Sequence, residues 1–326
     1  MRGSEATWTD RVRGLVLGLA LGDSVGRGTV PPSGPLRAGV STQLAAFTIE
    51  GIIRALVRGE HRGICHPPSV VWHAYCRWAA LQGIEVHEQH RHWANGSARW
   101  PDGWLADVSE FRERRGSAPA TVLALNRPEQ GSTRRPTTHS RGCHALTRSL
   151  PLAALSKNVP PDGVADLAQD VAALTHGDPQ AYRATAAAAL LTGRCLATNA
   201  LGDAVESVPE LPRTREPAGI LGEARTVCAK AREEPRSKAR LAEVAPDATA
   251  PSALLGGLYV AAVSGALLGA LYGVGAWPVR LLGRLESVWV MDTLARDLAS
   301  QLTESPSGSA YEPAKDPSWL TRYPGW

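Results

Sequence analysis

Four short stretches hold the side chains whose types and spacing suit chemistry. The stretch HSRGCHALTR groups His139, Ser140, Gly142, Cys143, His144 and Arg148 at a glycine turn that runs into a helix-forming segment. Free N–H groups at such a turn bind anions. A cysteine beside a histidine is a nucleophile when it is held as thiolate. The alternative is an ordinary loop-to-helix junction with a small buried cysteine. LTHGDP places Thr175, His176 and Gly177 between two helical segments, where a lone histidine is either an acid–base group or a packing residue. LGDSVG sets Asp23 at the end of a helix, where the backbone dipole disfavours a carboxylate, so the acid needs a specific hydrogen-bonding duty. VHEQHRHW carries His87, His90 and His92 with Glu88. His87 and His90 could share a helix face and hold a metal, or the segment is simply polar and solvated. No P-loop, dinucleotide glycine motif or G-x-S-x-G elbow occurs.

The elements that must position these groups are helices. Runs such as DLAQDVAALT and AYRATAAAALLTGRCLATNAL have apolar residues at helical spacing, and no segment sustains strand alternation. The fold class is therefore all-α, expected as one domain over residues 1–326, with surface loops or linkers near 205–220 and 232–252, where Pro mixes with charge. Thr9 is the expected N-cap of the first helix, with Asp10 near its positive end. Gly14, Gly18, Gly22 and Gly26 then recur every fourth residue. Each interior glycine costs a helix about 1 kcal/mol against alanine, so such a ridge implies close approach of another backbone. Gly265, Gly269 and Gly273 repeat the device in LLGGLYVAAVSGALLGALYGVGAWP. That stretch has no charge between Asp247 and Arg280, so it is either a membrane span or a buried core helix.

Composition narrows the class. The 326 residues are 44% hydrophobic and 20% charged, which suits a packed core rather than disorder. A net charge of +4 without clustered basic residues gives no case for nucleic acid. Five cysteines, Cys65, Cys76, Cys143, Cys195 and Cys228, are widely spaced and odd in number, as expected of free thiols in a reducing cytosol. The N-terminus carries charges with no apolar segment directly behind them, so a signal peptide is not expected.

Several of these pieces, in order, resemble the ADP-ribosylglycohydrolase family. RVRGLVLGLALGDSVG looks like its opening helix, which ends in G-D-A-x-G. STQLAAFTIEGIIRALVRG looks like its second helix. HPPSVVWHAYCRWAALQG and DGWLADVSEFRERRGSAPATVLAL look like the next segments of bacterial, actinobacterial-type members. SRGCHALTRSLPLAAL is similar to S-K-G-C-G-G-V-M-R-x-A-P, and AALTHGDPQAY to the T-H-G-x-P turn. SGALLGALYGVGAWPVRLLGRLE and the terminal RYPGW also fit. The resemblance implies a single all-α domain and makes the uncharged stretch a central buried helix, not a membrane span. Asp23, Thr42, Ser140, Gly142, Cys143, His144, Arg148, Thr175, His176 and Gly177 become the expected ligand-binding set. In the family, two divalent cations, usually magnesium or manganese, catalyse hydrolysis of the bond to ADP-ribose.

The chain departs from that pattern where the metals would be held. The T-D-D part of T-D-D-T falls on Gly39, Val40 and Ser41, with Thr42 surviving. The D-x-D-[ST] part falls on Gly256, Leu258 and Tyr259. The loop from Gly26 to Val40 has no acidic residue to help. His144 and Ala145 replace a G-G pair, Thr147 replaces a methionine, and Asp178 stands where a second histidine is common. No magnesium or manganese is expected, since hard cations need several oxygen ligands. Three readings stay open. One is a cytoplasmic pseudoenzyme that binds ADP-ribose, a nucleotide or an ADP-ribosylated partner, with no role for nucleic acid or membrane. Another is a metal-independent enzyme for a nucleoside or secondary metabolite, with Asp23, Cys143, His144 and His176 as candidate catalytic groups. The third is a surface-acting scaffold, for which the tryptophans of RWPDGW speak.

Overall fold

The computed structural model describes residues 6–26, 33–90, 100–208, 219–260 and 265–325. It is all-α, with no strand among the described residues. The helices are α1 (Trp8–Val25), α2 (Val40–Arg62), α3 (Pro67–Leu81), α4 (Pro119–Leu125), α5 (His144–Ser149), α6 (Pro161–Ala173), α7 (Pro179–Ala197), α8 (Leu201–Glu206), α9 (Ile220–Glu233), α10 (Lys238–Val244), α11 (Ala250–Tyr259), α12 (Gly265–Tyr272), α13 (Val279–Leu282), α14 (Val288–Thr303) and α15 (Trp319–Arg322).

Helix α1 sits at the centre, its residues from Val12 to Leu21 nearly all buried. Its N-cap is Thr7, not Thr9. The Thr7 hydroxyl accepts from the Asp10 backbone N–H at 3.1 Å, and the Asp10 carboxylate accepts from the Thr7 N–H at 3.3 Å. An acid three residues past the cap closes a capping box. Asp10, expected only as a dipole partner, is thus the residue that sets the register.

The expected glycine ridge is the closest contact between helices. A Cβ on Gly14 would stand 2.8 Å from the Gly269 carbonyl carbon, and one on Gly18 would stand 2.6 Å from that of Gly265. Backbone thus lies directly on backbone, and α12 packs along α1. Trp277 covers this seam and donates its indole N–H to the Gly14 carbonyl at 3.1 Å. Gly22 meets nothing nearer than 3.9 Å, and Gly26 ends α1 as its C-cap, so the ridge works at two of its four steps.

The uncharged stretch is not one helix. It divides into α11, which packs on α7 and α9, and α12, which packs on α1 and α7. Residues 261–264 between them lie outside the described residues. Among the described residues the helix long and apolar enough to cross a membrane is instead α2, and 89% of that window is buried inside the protein. The segment 232–252, expected as a surface connection, contains α10 between two turns.

Helix α2 is held by buried charge. Glu50 and Arg54, one turn apart, meet Arg77 of α3 and Asp102. Arg54 Nε lies 2.5 Å from Glu50 Oε1, Arg54 Nη1 lies 2.8 Å from Asp102 Oδ2, and Arg77 Nη2 donates to Glu50 Oε2. Glu50 is 1% exposed and the two arginines 4%. Burial on this scale is tolerable only because each charge meets its opposite. Trp100 and Trp104, from the tryptophan-rich segment, pack against the core rather than standing free. Arg99 lies outside the described residues.

Gly18→Ala should cost about 1–3 kcal/mol or more in denaturant unfolding, because the new methyl overlaps backbone that cannot rotate away. Gly59→Ala in α2 meets open space and should instead stabilise by up to about 1 kcal/mol. Equal effects from the two would contradict a backbone-on-backbone seam. Glu50→Gln should destabilise by about 3–5 kcal/mol in the same experiment, since it leaves two buried guanidinium groups short of charge.

Candidate functional site

The site grows from the end of α1. The carboxylate of Asp23 caps a different helix. Its Oδ2 accepts from the Gly39 N–H at 2.7 Å, the Thr42 N–H at 3.1 Å and the Thr42 hydroxyl at 2.7 Å. The N-cap of α2 is Gly39, which has no side chain to offer, so the acid from α1 supplies the missing acceptor. Its unfavourable place at a helix C-terminus is offset by the positive end of α2.

The cysteine loop is fixed from two sides. Residues 141–143 pair antiparallel with 248–250: Cys143 N–H donates to Ala248 O at 3.1 Å, and Ala250 N–H to Arg141 O at 2.9 Å. The Gly142 N–H donates to the Ser140 hydroxyl at 3.2 Å. The two N–H groups expected to receive an anion are therefore already used. Thr147, one turn into α5, lies 3.4 Å from Ser41 at the start of α2. Asp23, Ser41, Gly142, Cys143, His144 and Thr147 all remain half-buried. The Cys143 thiol is pushed up by burial and further by the Asp23 carboxylate, so it stays protonated.

Behind this opening runs a buried chain. Arg148 is fully buried. It donates to Thr121 Oγ1 at 3.1 Å, Val171 O at 3.2 Å and Thr175 Oγ1 at 2.7 Å, and its guanidinium carbon lies 4.4 Å from the centre of the Tyr75 ring. Thr175 in turn sits 2.8 Å from His176 Nδ1. Because Arg148 fills an acceptor site on the Thr175 oxygen, the hydroxyl hydrogen is free to go to Nδ1. The nitrogen that faces Gly142 is Nε2. Burial holds the His176 pKa well below its ordinary value, and the neighbouring Arg148 and His144 add to this. His176 is thus held neutral. His144 and His176 are close enough to feel each other, so these two expected residues do share one region.

Other members of the expected ligand set serve as support. Thr42, Arg148 and Thr175 are fully buried. Gly177 gives room for the chain at Pro136, whose Cα would be 3.2 Å from a Cβ there, and Thr138 donates to Thr175 O at 2.7 Å beside it. Asp178, in place of a histidine, caps α7 by accepting from the Gln180 N–H at 2.8 Å.

The residues on which the family pattern is expected to place its metal ligands lie in two settings. Gly39, Val40 and Ser41 open α2 beside Asp23. Gly256 packs on Ala245 of the α10–α11 connection, and Leu258 and Tyr259 are buried against the α9–α10 region. Tyr259 donates to Glu234 O and accepts from the Ser237 N–H at 3.1 Å. Hard divalent cations want several carboxylate or carbonyl oxygens, and this donor set does not fit a pair of them. Among the described residues no three His, Cys, Asp or Glu side chains gather into a metal-binding group.

In VHEQHRHW, His90 is structural. His90 is buried. Its Nδ1 accepts from the Trp72 indole at 3.3 Å, and its Nε2 donates to Arg127 O at 2.8 Å. The segment is therefore more than a solvated polar run; His92 lies outside the described residues. Sequence reasoning missed the Glu50–Arg54–Arg77–Asp102 cluster. The signal was present as an acid and a base one turn apart on an otherwise apolar helix.

The sequence model of the family described as ADP-ribosylglycohydrolase matches residues 4–260. No curated protein matches. A solved structure titled "ADP-ribosylglycohydrolase-related protein complex" is similar at 22% identity over 91% of this chain and 99% of that chain, with a TM-score of 0.48.

Asp23→Ala should cost about 1–2 kcal/mol in thermal or denaturant unfolding, as the loss of a helix cap does. Asp23→Asn should recover most of it, and equal losses would argue against a capping role. Acid should also destabilise the fold. Burial, with Arg77 and His90 nearby, lowers His73 from 6.5 to about 3, and His176 shifts the same way. The unfolded chain takes up these protons below 6.5 while the folded chain does not. Stability present above 6.5 is then lost progressively as pH falls toward 3, by about 2 kcal/mol at pH 5 for His73. Unfolding measured from pH 8 to 4 checks this, and His73→Asn should flatten the slope.

Proposed function

The chain belongs to the ADP-ribosylglycohydrolase family, and from that premise we propose that it binds ADP-ribose, a nucleotide or an ADP-ribosylated partner without metal-dependent hydrolysis. The observation that carries this reading is the use made of Asp23. It is the carboxylate beside the start of α2, and its Oδ2 is taken up by three hydrogen bonds to Gly39 and Thr42. With Gly39, Val40 and Ser41 on one side and Gly256, Leu258 and Tyr259 on the other, no carboxylate stands at the positions where the family pattern has them.

What remains at the opening is polar but not acidic. Ser41 and Thr147 offer hydroxyl groups to a phosphate or ribose, with half-buried His144 and the exposed Arg141 beside them. A thiol pushed up by burial speaks against the alternative of a Cys143 nucleophile. Cytoplasmic residence, without a membrane or nucleic-acid partner, belongs to the same reading.

Calorimetry of the full chain with ADP-ribose, with and without magnesium, tests it. Saturable binding that magnesium leaves unchanged is expected, and Thr147→Met should weaken it roughly tenfold by filling the opening between α2 and α5. No binding would end the ligand proposal. Metal-dependent tightening, or release of ADP-ribose from a modified peptide, would overturn the loss of metal chemistry.

A further inference from the structure

Away from the cysteine loop, α8, α9, α10 and α11 enclose a cavity of about 840 Å3. That is in the range of small-molecule sites, roughly 300–1,000 Å3. None of Asp23, Cys143, His144 or His176 lines it. Its walls are aliphatic: Leu201, Ala231, Leu241, Leu258 and Val260. Leu258 and Tyr259 stand where the family pattern has an acid and a hydroxyl residue, so two of the altered positions have become cavity wall.

The mouth is basic in an uneven way. On the same two helices, Lys230 pairs with Glu243 at 3.3 Å, and Arg240 pairs with Glu234 at 3.3 Å and Glu243 at 2.5 Å. The cations that line the cavity, Arg232, Arg236 and Lys238, have no carboxylate within ion-pair distance among the described residues. Glu234 and Glu243 are thus taken up by Lys230 and Arg240, which do not line the cavity. Arg236 lies in the turn between α9 and α10 with φ of 65°, a left-handed conformation that an arginine rarely adopts. Tyr259 pins that turn from below, through its bonds to Glu234 O and the Ser237 N–H. A strained residue held over a cavity by neighbouring bonds is a common way to set a binding group in place.

We propose that this cavity is a binding site for an amphiphilic anion, an aliphatic chain ending in a carboxylate or phosphate. The chain would lie against Leu201, Leu241, Leu258 and Val260, and the head would meet Arg232, Arg236 and Lys238. Charge complementarity selects the head, and burial of aliphatic surface supplies most of the affinity. A nucleotide fits less well. Among the described residues Tyr259 is the sole aromatic in the lining, and its hydroxyl is already bound on both sides, so it offers a base no free polar edge.

Titration calorimetry of the full chain with laurate, dodecyl phosphate and lauryl alcohol tests the assignment. At least one of the two anions should bind saturably with one site, and the tighter of the two identifies the head group. The uncharged alcohol should bind at least about tenfold more weakly. The double variant R236E/K238E changes exposed residues and should weaken the anion roughly tenfold or more. Leu241→Trp should also weaken it by filling the cavity, with circular dichroism confirming the fold of each variant. ADP-ribose binding at the cysteine loop should be unaltered in both, which separates this site from the one proposed above. Absence of binding by both anions, equal binding of the alcohol, or affinity that survives charge reversal and filling would each overturn the proposal.

Discussion

The structure depends first on the place where two helix backbones touch. At Gly14 against Gly269, and Gly18 against Gly265, neither helix has a side chain to hold the other off. Helix α12 therefore lies deeper against α1 than side-chain packing would allow, and the Trp277 indole closes the seam with a hydrogen bond to Gly14 O. The four glycines lose intrinsic helix stability, which the close contact offsets through dispersion and burial. This seam fixes the middle of α1, from Gly14 to Gly18. Fixing α1 sets where Asp23 emerges, and Asp23 sets the start of α2.

A second layer of constraint is electrostatic. Arg148 is fully buried and held by two threonine hydroxyls, a carbonyl and the face of Tyr75, rather than by a carboxylate. Glu50, Arg54, Arg77 and Asp102 form a closed set of opposite charges between α2, α3 and the segment at 102. Arrangements of this kind add little net stability, because desolvation cancels much of the attraction. They do penalise any packing that separates the partners. The first holds the cysteine helix and the His176 turn together, and the second holds α2 on α3.

Around the opening, the polar groups have been redirected inward. Asp23 serves the backbone of α2, the N–H groups of Gly142 and Cys143 serve neighbouring chain, and Thr175 serves both Arg148 and His176. What remains half-buried at the opening is Ser41, Thr147 and His144. Hydroxyls of this kind donate hydrogen bonds and hold a hard cation less well than carboxylates do, which is the physical basis for reading the site as a binder. Leu258 and Tyr259 serve packing: Leu258 forms cavity wall, and Tyr259 latches the turn between α9 and α10.

The sequence by itself determined the helical class, through periodicity that every long run shares, and the family, through motifs spread over the chain. It also determined the glycine seam, because glycines at every fourth position weaken a helix unless another backbone packs against them. The need for a bonding partner at Asp23 was legible too, since an acid at a helix C-terminus is unfavourable on its own. Tertiary structure alone decided which partner that was. The donors lie 16 and 19 residues away, and nothing local names them. It decided that the uncharged stretch is two helices, because each half found a different neighbour. It decided that the N–H groups of the cysteine loop are occupied, in part by a pairing with residues more than a hundred positions later. Local pattern reports what a segment prefers. Which polar groups remain free for a ligand is settled only when distant segments have taken their share.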